Sequence, residues 1–468
     1  IYASFNLTTG AVGTVTSGYT ANMEDFGNGW YRCSVTTPTG FYERAIYAVS
    51  DTDGGIAAAA NGNDGILLWG AQLNRSDLGG MVNNPDRGDS YVSTTTAAVY
   101  LSRRGHHIYN GSAWVNEGIL HESEARTNLL TYSGDLTGAV WAGGLAMGPL
   151  TVGSPFGTYQ TMSPPSNGVN LSPAQRFQIG LAITTGATYV GWALVKYSVG
   201  SGWFDINMYD TGKGSAQAYF DVQNGVVGAK NAAIIDHGMV DYGDGWWLCW
   251  ASANAASTSG GLSVEAPNGN GVQTCTATDV ILIAGTQFEL GATPSSYIPT
   301  TTATVTRAAE TLTVPAANIP YDSTNMSIQI DGKMTYADTG AAGEAQQYRW
   351  QGNATNYIST NMQTVGSRTG QPIFSQRQST SGLDQVGGGN NVYNPNTNVP
   401  FNLAARHGST FINAAHEGTL LTANTTPTIL PDLSSTDLDL GNIFMGTIGQ
   451  FRMWDEDITD AGITEAST

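Results

Sequence analysis

Basic residues are few in this chain. Its 468 residues carry 18 Lys and Arg against 37 Asp and Glu, a formal net charge of −19 at pH 7. Such a surface repels phosphate backbones and anionic bilayers, which argues against nucleic acid as a partner, while neutral glycans remain compatible with it. Long apolar runs are missing too. None approaches the roughly 18 residues of a membrane-crossing helix, so no membrane insertion is expected. Cysteine is sparse: Cys33, Cys249 and Cys275 are an odd set, with neither a disulfide framework nor a metal-ligand spacing. No Gly-x-Ser-x-Gly elbow, and no histidine close in sequence to a cysteine, marks a nucleophile.

What fills the chain instead is glycine (59 residues), aromatics (10%) and much Thr, Ser, Asn, Ala and Val. Strands favour β-branched and aromatic side chains, and tight turns favour glycine, so the composition predicts an all-β protein. Hydrophobic residues at 41% suffice for real cores and exclude general disorder. At this length about two to four domains are expected. The fold class predicted is all-β and multi-domain, with tandem antiparallel β-sandwiches of jelly-roll type.

An internal repeat organises the chain. The block Phe5-Asn6-Leu7-Thr8-Thr9-Gly10-Ala11-Val12-Gly13 recurs as Phe220-Asp221-Val222-Gln223-Asn224-Gly225-Val226-Val227-Gly228. Asp25-Phe26-Gly27-Asn28-Gly29-Trp30-Tyr31-Arg32-Cys33 recurs as Asp241-Tyr242-Gly243-Asp244-Gly245-Trp246-Trp247-Leu248-Cys249. Gly70-Ala71-Gln72-Leu73 answers to Gly285-Thr286-Gln287-Phe288, and Ser90-Tyr91-Val92 to Ser296-Tyr297-Ile298. The first pair reads as hairpins. The second reads as a tight Gly-(Asn/Asp)-Gly turn entering an alternating strand. Ile66-Leu67-Leu68-Trp69 and Val280-Ile281-Leu282-Ile283 read as central strands buried on both faces.

The second module spans 126–306, and its first half holds two strand patterns, Phe177–Ile183 and Tyr189–Val195. Residues 1–100 carry no counterpart of that half. They are read as a half-module, completed by a portion preceding Ile1 or by a neighbouring chain. Residues 101–125 read as a linker hairpin turning at Asn110-Gly111, with His106-His107 as polar linker residues rather than metal ligands. Residues 307–468 open on the alternation of Met326–Gly332. They close on a strand through Gly446–Trp454 and a short helix with Thr459 as N-cap.

The segments GNGWYRC, LLWGAQL, HESEARTNLLTYS and SYIPTTTATVTRAAETLTV resemble carbohydrate-binding-module-type jelly rolls of phage and prophage tail, fibre and spike proteins. The segments AARHGSTFINAAHEGTLL and MGTIGQFRMWDEDITDAGITEAS resemble concanavalin A-like, laminin-G-like lectin domains of such proteins. The resemblance implies a virion-surface appendage that binds host surface polysaccharide, contacts other virion proteins and forms a homo-oligomer, a trimer being the common stoichiometry. The alternatives are a purely structural head or tail decoration and a glycan-depolymerising tailspike, although the short period of a β-helix is absent. No site motif transfers residue by residue.

Site candidates therefore come from the residues. Aromatics kept in both modules (Trp30 with Trp246, Tyr91 with Tyr297) are read as scaffold, as is the pair Cys33 and Cys249. Aromatics without a repeat partner are the glycan-stacking candidates: Trp141, Trp192, Tyr197 and Trp203 in the second module, and Tyr348, Arg349 and Trp350 in the third region. Calcium is possible at Asp432, Asp437 and Asp439, since acidic loops supply its oxygen ligands. Glu289, Glu310, Glu344 and Glu417 are loose carboxylates read as solvated or structural. No catalytic residue is assigned, and the expectation is a binding protein rather than an enzyme.

Overall fold

A computed structural model describes residues 2–36, 48–55, 65–73, 103–109, 114–166, 175–335, 343–380, 382–394 and 396–468. They fall into two units: Ile1–Gly80 with Tyr91–Thr95, and Met81–Ser90 with Thr96–Thr468. The fold is all-β, with antiparallel strands throughout and one short α-helix among the described residues.

In the first unit β1 (Ala3–Asn6) pairs β2 (Ala11–Val15), and β3 (Thr20–Gly27) pairs β4 (Trp30–Thr36). The next strands, β5 (Arg103–Tyr109) and β6 (Trp114–Glu122), form a hairpin belonging to the second unit. That hairpin is no free linker: Ile119–Glu122 pairs with a strand of the last sheet, Met445–Ile448.

The middle sandwich is built from β7 (Arg126–Asn128), β8 (Ala146–Met147), β9 (Thr151–Ser154), β10 (Gly157–Ser163), β11 (Gln175–Ala182), β12 (Thr188–Val199), β13 (Trp203–Asp210), β14 (Gln217–Asp221), β15 (Val226–Lys230), β16 (Asp236–Gly243), β17 (Trp246–Asn254), β18 (Ser259–Glu265), β19 (Val280–Leu290) and β20 (Val305–Arg307). One sheet runs β16-β17-β12-β19-β10-β8 with β9 attached to β10; the facing sheet runs β11-β18-β13-β14-β15. Phe204, Ile206, Leu262 and Val264 of one sheet meet Ala193, Val195, Cys249 and Ile283 of the other in a closed core. The larger sheet is apolar on its outer side too. There Trp192, Trp246 and Trp250 pack beneath Phe156 and Tyr297. Val280–Ile283 is thus a central strand, held by β10 and β12.

The last sandwich is built from β21 (Thr313–Val314), β22 (Asn325–Met334), β23 (Glu344–Asn353), β24 (Asn356–Gln363), β25 (Pro372–Gln378), β26 (Leu383–Gly387), β27 (Val399–Gly408), β28 (Ile412–His416), β29 (Thr419–Leu420), β30 (Leu438–Leu440) and β31 (Met445–Trp454), followed by α1 (Thr459–Ala466). Its sheets are β21-β30-β23-β24-β25-β26 and β29-β28-β27-β22-β31-β6-β5. Strict alternation on β22 sends Ile328 and Ile330 into the core against Tyr348 and Trp350. Helix α1 lies on the other side of that sheet, Ile463 packing on Ala404 and Ala415.

The first two blocks of the repeat are reproduced in their pairing. Phe5 pairs with Val12 as Phe220 pairs with Val227, and Asn6 and Asp221 each accept two backbone N–H groups from their own turn. Met23 pairs with Cys33 as Met239 pairs with Cys249. The turn residues Gly27-Asn28-Gly29 and Gly243-Asp244-Gly245 all have positive φ, between 50° and 79°. Only glycine, or Asn and Asp at modest cost, holds such a conformation.

Three expectations are corrected. Residues 65–73 form no strand, and Leu67 and Trp69 are 84% and 71% exposed. The matching strand β19 is held by β10 and β12, and residues 1–100 contain no sequence matching those neighbours. Thr459 does not cap α1, because its own φ is +69°. The Asp457 carboxylate, held by Arg406 Nη1 at 2.9 Å, accepts the Thr459 N–H at 2.8 Å instead. The linker reading of the hairpin fails as well, since it completes the last sheet. The turn Asn110-Gly111 and the repeat residue Tyr91 lie outside the described residues, as do the side chains of His106 and His107.

Candidate functional site

The five-stranded sheet of the middle sandwich turns a polar face away from the core. On β13, Phe204, Ile206 and Met208 enter the core, which leaves Trp203, Asp205, Asn207 and Tyr209 on the opposite side. On β18, Leu262 and Val264 point in and Ser263 and Glu265 point out. Register then assembles the site. Asp205 stands between Glu265 and Tyr219, Asn207 between Ser263 and Gln217, and Gln175 beside Glu265. Seven side chains from four strands converge there.

Their hydrogen bonds form one network. Gln217 Nε2 donates to Asp205 Oδ2 at 2.9 Å and to Glu265 Oε2 at 3.4 Å. Asn207 Nδ2 donates to Glu265 Oε1 and to Ser215 Oγ, both at 3.2 Å. Ser263 Oγ donates to Glu265 Oε1 at 3.3 Å and to Gln175 Oε1 at 3.0 Å. Gln273, from the loop after β18, donates to Gln217 Oε1 at 3.2 Å and to the Tyr219 hydroxyl. That loop is anchored twice: Asn270 Oδ1 accepts the Ala229 N–H at 2.7 Å, and Asp279 accepts from Ser201 Oγ at 2.8 Å.

The floor of this face is buried and acidic. Asp205 and Glu265 are 0% and 2% exposed. Burial holds both carboxyls above the usual carboxylate range, and for Asp205 the neighbouring Glu265 charge adds to it. The Tyr219 hydroxyl is also raised, by burial and then by both carboxylates. Asp205 Oδ1 and Asn207 Oδ1 are buried and accept no hydrogen bond.

Above the floor, Gln175 and Gln217 are half-buried, and Asn270 and Gln273 are exposed, giving an amide rim. Trp203 flanks it, half-buried, its ring lying across Gly228, where a Cβ would come within 2.7 Å of Cζ3. The face can therefore offer a hydrophobic ring surface beside paired amide donors and acceptors.

Of the aromatics singled out in the sequence, Trp203 alone stands on this face. Trp141, Tyr348 and Trp350 are buried in the sandwich cores, and Trp192 is buried beneath Phe156 and Tyr297. Tyr197 packs partly buried against the middle core. Arg349 lies outside the last core, over the ring of Tyr357 and opposite Asp439 in register. Asp432 accepts from Ser434, and Asp437 accepts the Ala316 N–H at 2.8 Å. Among the described residues no three of His, Cys, Asp or Glu gather to hold a metal ion. The loose carboxylates are engaged structurally: Glu289 accepts from Ser295, Glu310 from the Glu122 N–H, Glu344 from Gln346, and Glu417 from Tyr393 and Asn402. A separate cavity of about 310 Å³ on the last sandwich is lined by Glu117, Asp331, Lys333, Asn402, Glu417 and Thr447.

Asp205, Asn207 and Glu265 were missed in the sequence. The available signal was alternation: an Asp and an Asn between Phe204, Ile206 and Met208, and a Glu closing the alternating Leu262–Glu265.

No family model matches the chain, and no curated protein matches it in sequence. Similar solved structures include the leech intramolecular trans-sialidase complexed with 2,7-anhydro-Neu5Ac, at 16% identity and a TM-score of 0.26, over 31% of this chain and 23% of that one. This chain thus spans about a quarter of that enzyme's length. The CBM40 of the Ruminococcus gnavus IT-sialidase matches at 10% identity and a TM-score of 0.26, over 34% of this chain and 96% of the module. Domains LG4-5 of the mouse laminin alpha1 chain match at 9% identity and a TM-score of 0.21, over 63% of this chain and 89% of that one. At these scores the likenesses bear on neither the ligand nor the activity of this chain.

Proposed function

We propose that the chain is a glycan-binding protein, not an enzyme, and that the outer face of the five-stranded sheet in the middle sandwich is its binding surface. The observation carrying this reading is the amide rim of Gln175, Gln217, Asn270 and Gln273 beside the half-buried ring of Trp203. Amides donate and accept at once, as sugar hydroxyls do, and an indole face takes the C–H side of a pyranose. The carboxylates beneath do not suit glycoside hydrolysis. Both are buried and tied to Gln217, Asn207 and Ser263, whereas glycoside hydrolysis needs two carboxyls flanking an accessible bond.

The setting we propose is the one the sequence resemblance implies: an appendage on a phage particle that engages host surface polysaccharide. Oligomerisation there turns modest affinity per site into strong avidity. The test is binding of the labelled chain to candidate host cells before and after their surface polysaccharide is stripped. Binding should vanish on stripping and fall at least tenfold in Trp203→Ala. Undiminished binding to stripped cells, or no binding by correctly folded protein, would turn the account towards a purely structural decoration.

A further inference from the structure

Building on the glycan-binding reading of this face, we infer that the rim around Trp203 takes uncharged sugars and rejects those carrying a carboxylate, uronates and sialic acids alike.

A carboxylated sugar calls for a cationic partner, which proteins supply as a guanidinium or an ammonium group. The strands and loops of the five-stranded sheet, residues 166–187, 200–235 and 255–279, hold only three Lys or Arg: Arg176, Lys213 and Lys230. None serves the rim. Arg176 stands opposite Val264 and Lys230 opposite Ala218, and both of those partners enter the core. Side chains directly opposite one another share a face, so these two cations leave on the other side. There Arg176 Nε donates to the Leu136 carbonyl at 2.7 Å, and Lys230 Nζ to the Ile234 carbonyl at 3.0 Å. Lys213 donates to the carbonyl of Asn254, on β17 of the facing sheet.

The carboxylates are on the side of the rim. Asp221 stands opposite Trp203, and Asp205 lies between Tyr219 and Glu265. Asp221 accepts the backbone N–H groups of Gln223 and Asn224 at 3.2 and 3.1 Å. Asp205 and Glu265 accept from Gln217, Asn207 and Ser263, all neutral. A sugar carboxylate stacked on Trp203 would therefore meet negative charge beside it and beneath it. Like charges a few ångströms apart in a half-buried setting weaken binding by about tenfold or more.

What the rim does offer is uncharged. Asn270 Oδ1 accepts the Ala229 N–H at 2.7 Å, which leaves its Nδ2 to donate. Gln273 Nε2 donates to Gln217 Oε1 and the Tyr219 hydroxyl, which leaves its Oε1 to accept. Both side chains are exposed. Asn270 also adjoins the indole, since a Cβ on Gly228 would come within 2.7 Å of Trp203 Cζ3 and 2.8 Å of Asn270 Oδ1. A donor, an acceptor and a ring face suit the hydroxyls and C–H side of a neutral pyranose.

The experiment applies the full chain to printed oligosaccharides of four kinds: neutral hexoses, N-acetylhexosamines, hexuronates and sialosides. Binding should be confined to the two uncharged kinds and be lost in Trp203→Ala. Raising salt from about 0.15 to about 0.5 M should change it less than about twofold, because no ion pair holds the ligand. Gln273→Arg supplies the missing cation and should improve hexuronate binding by about tenfold or more. Should that variant fail to fold, Asn270→Arg on the same exposed loop should do the same. A hexuronate or sialoside bound by the wild-type chain as tightly as the neutral sugars, and lost in Trp203→Ala, would overturn the specificity while leaving the glycan face in place. Folded protein that binds none of the four kinds would overturn the glycan face, and the specificity with it.

Discussion

Arg307 Nη1 donates to Glu122 Oε2 across 2.6 Å, and both side chains are buried. The pair joins two sandwiches, since Glu122 ends a strand of the last sheet while Arg307 lies on the exit strand of the middle one. Ser296 adds an N–H at 2.9 Å and a hydroxyl at 2.6 Å to the same carboxylate, and Glu310 accepts the Glu122 N–H at 2.8 Å.

Truncating one member strands the other in a dry setting. Glu122→Ala should cost about 3–5 kcal/mol in urea unfolding. Because the pair bridges two cores, the two sandwiches should unfold together in the wild-type chain and as two resolved calorimetric transitions in the variant. Loss of less than about 1 kcal/mol would mean the network is dispensable.

His407 gives the last sandwich an acid weakness. Burial pushes its ring down to about 3, and neither ring nitrogen has a partner. Folding therefore holds the ring neutral, while the unfolded chain takes up a proton below about pH 6.5. Between pH 6.5 and 3 the unfolded state binds more protons, so stability falls as pH falls. His407→Leu should flatten that acid limb by a few kcal/mol and leave stability at pH 8 unchanged or higher. An unaltered pH profile would contradict the assignment.

The three thiols should separate by reactivity. Cys33 is exposed, whereas Cys249 and Cys275 are buried, and since burial raises all three thiols it is access that separates them. Titration with an aromatic disulfide reagent should show one fast thiol in the native chain and three after denaturation. A native count of two or more fast thiols would mean that the middle core opens readily.

The repeated turns carry a cost that can be measured in either copy. Gly245 sits at φ +75°, and a methyl added there would meet only ordinary contacts with Lys196, so Gly245→Ala isolates the backbone penalty. It should destabilise the middle sandwich by about 1–2 kcal/mol. A neutral outcome would mean that the turn relaxes to another type.

Much of the architecture was legible because it follows from local periodicity. Alternation marked β17 and β22, and the Gly-(Asn/Asp)-Gly turns fixed both hairpins to the residue. Apolar content alone misled at Ile66–Trp69, since a central strand exists only where neighbours pair with it. The candidate site was legible only in part. Trp203 could be named as an aromatic without a repeat partner, but Asp205 and Glu265 are 60 positions apart and meet through register, which no local pattern specifies. Trp192 and Trp350 look like stacking residues in sequence, yet both sit under cover that other parts of the chain supply.

The most direct test of the central claim is a titration of the wild-type chain and of Gln217→Ala with Gln273→Ala against purified host surface polysaccharide, following the fluorescence of Trp203 against a Trp203→Phe control. The account predicts a saturable change that disappears in Trp203→Phe, with an affinity at least tenfold weaker in the double amide variant. Equal affinity in both proteins, with no contribution from Trp203, would contradict it and place the glycan elsewhere on the molecule.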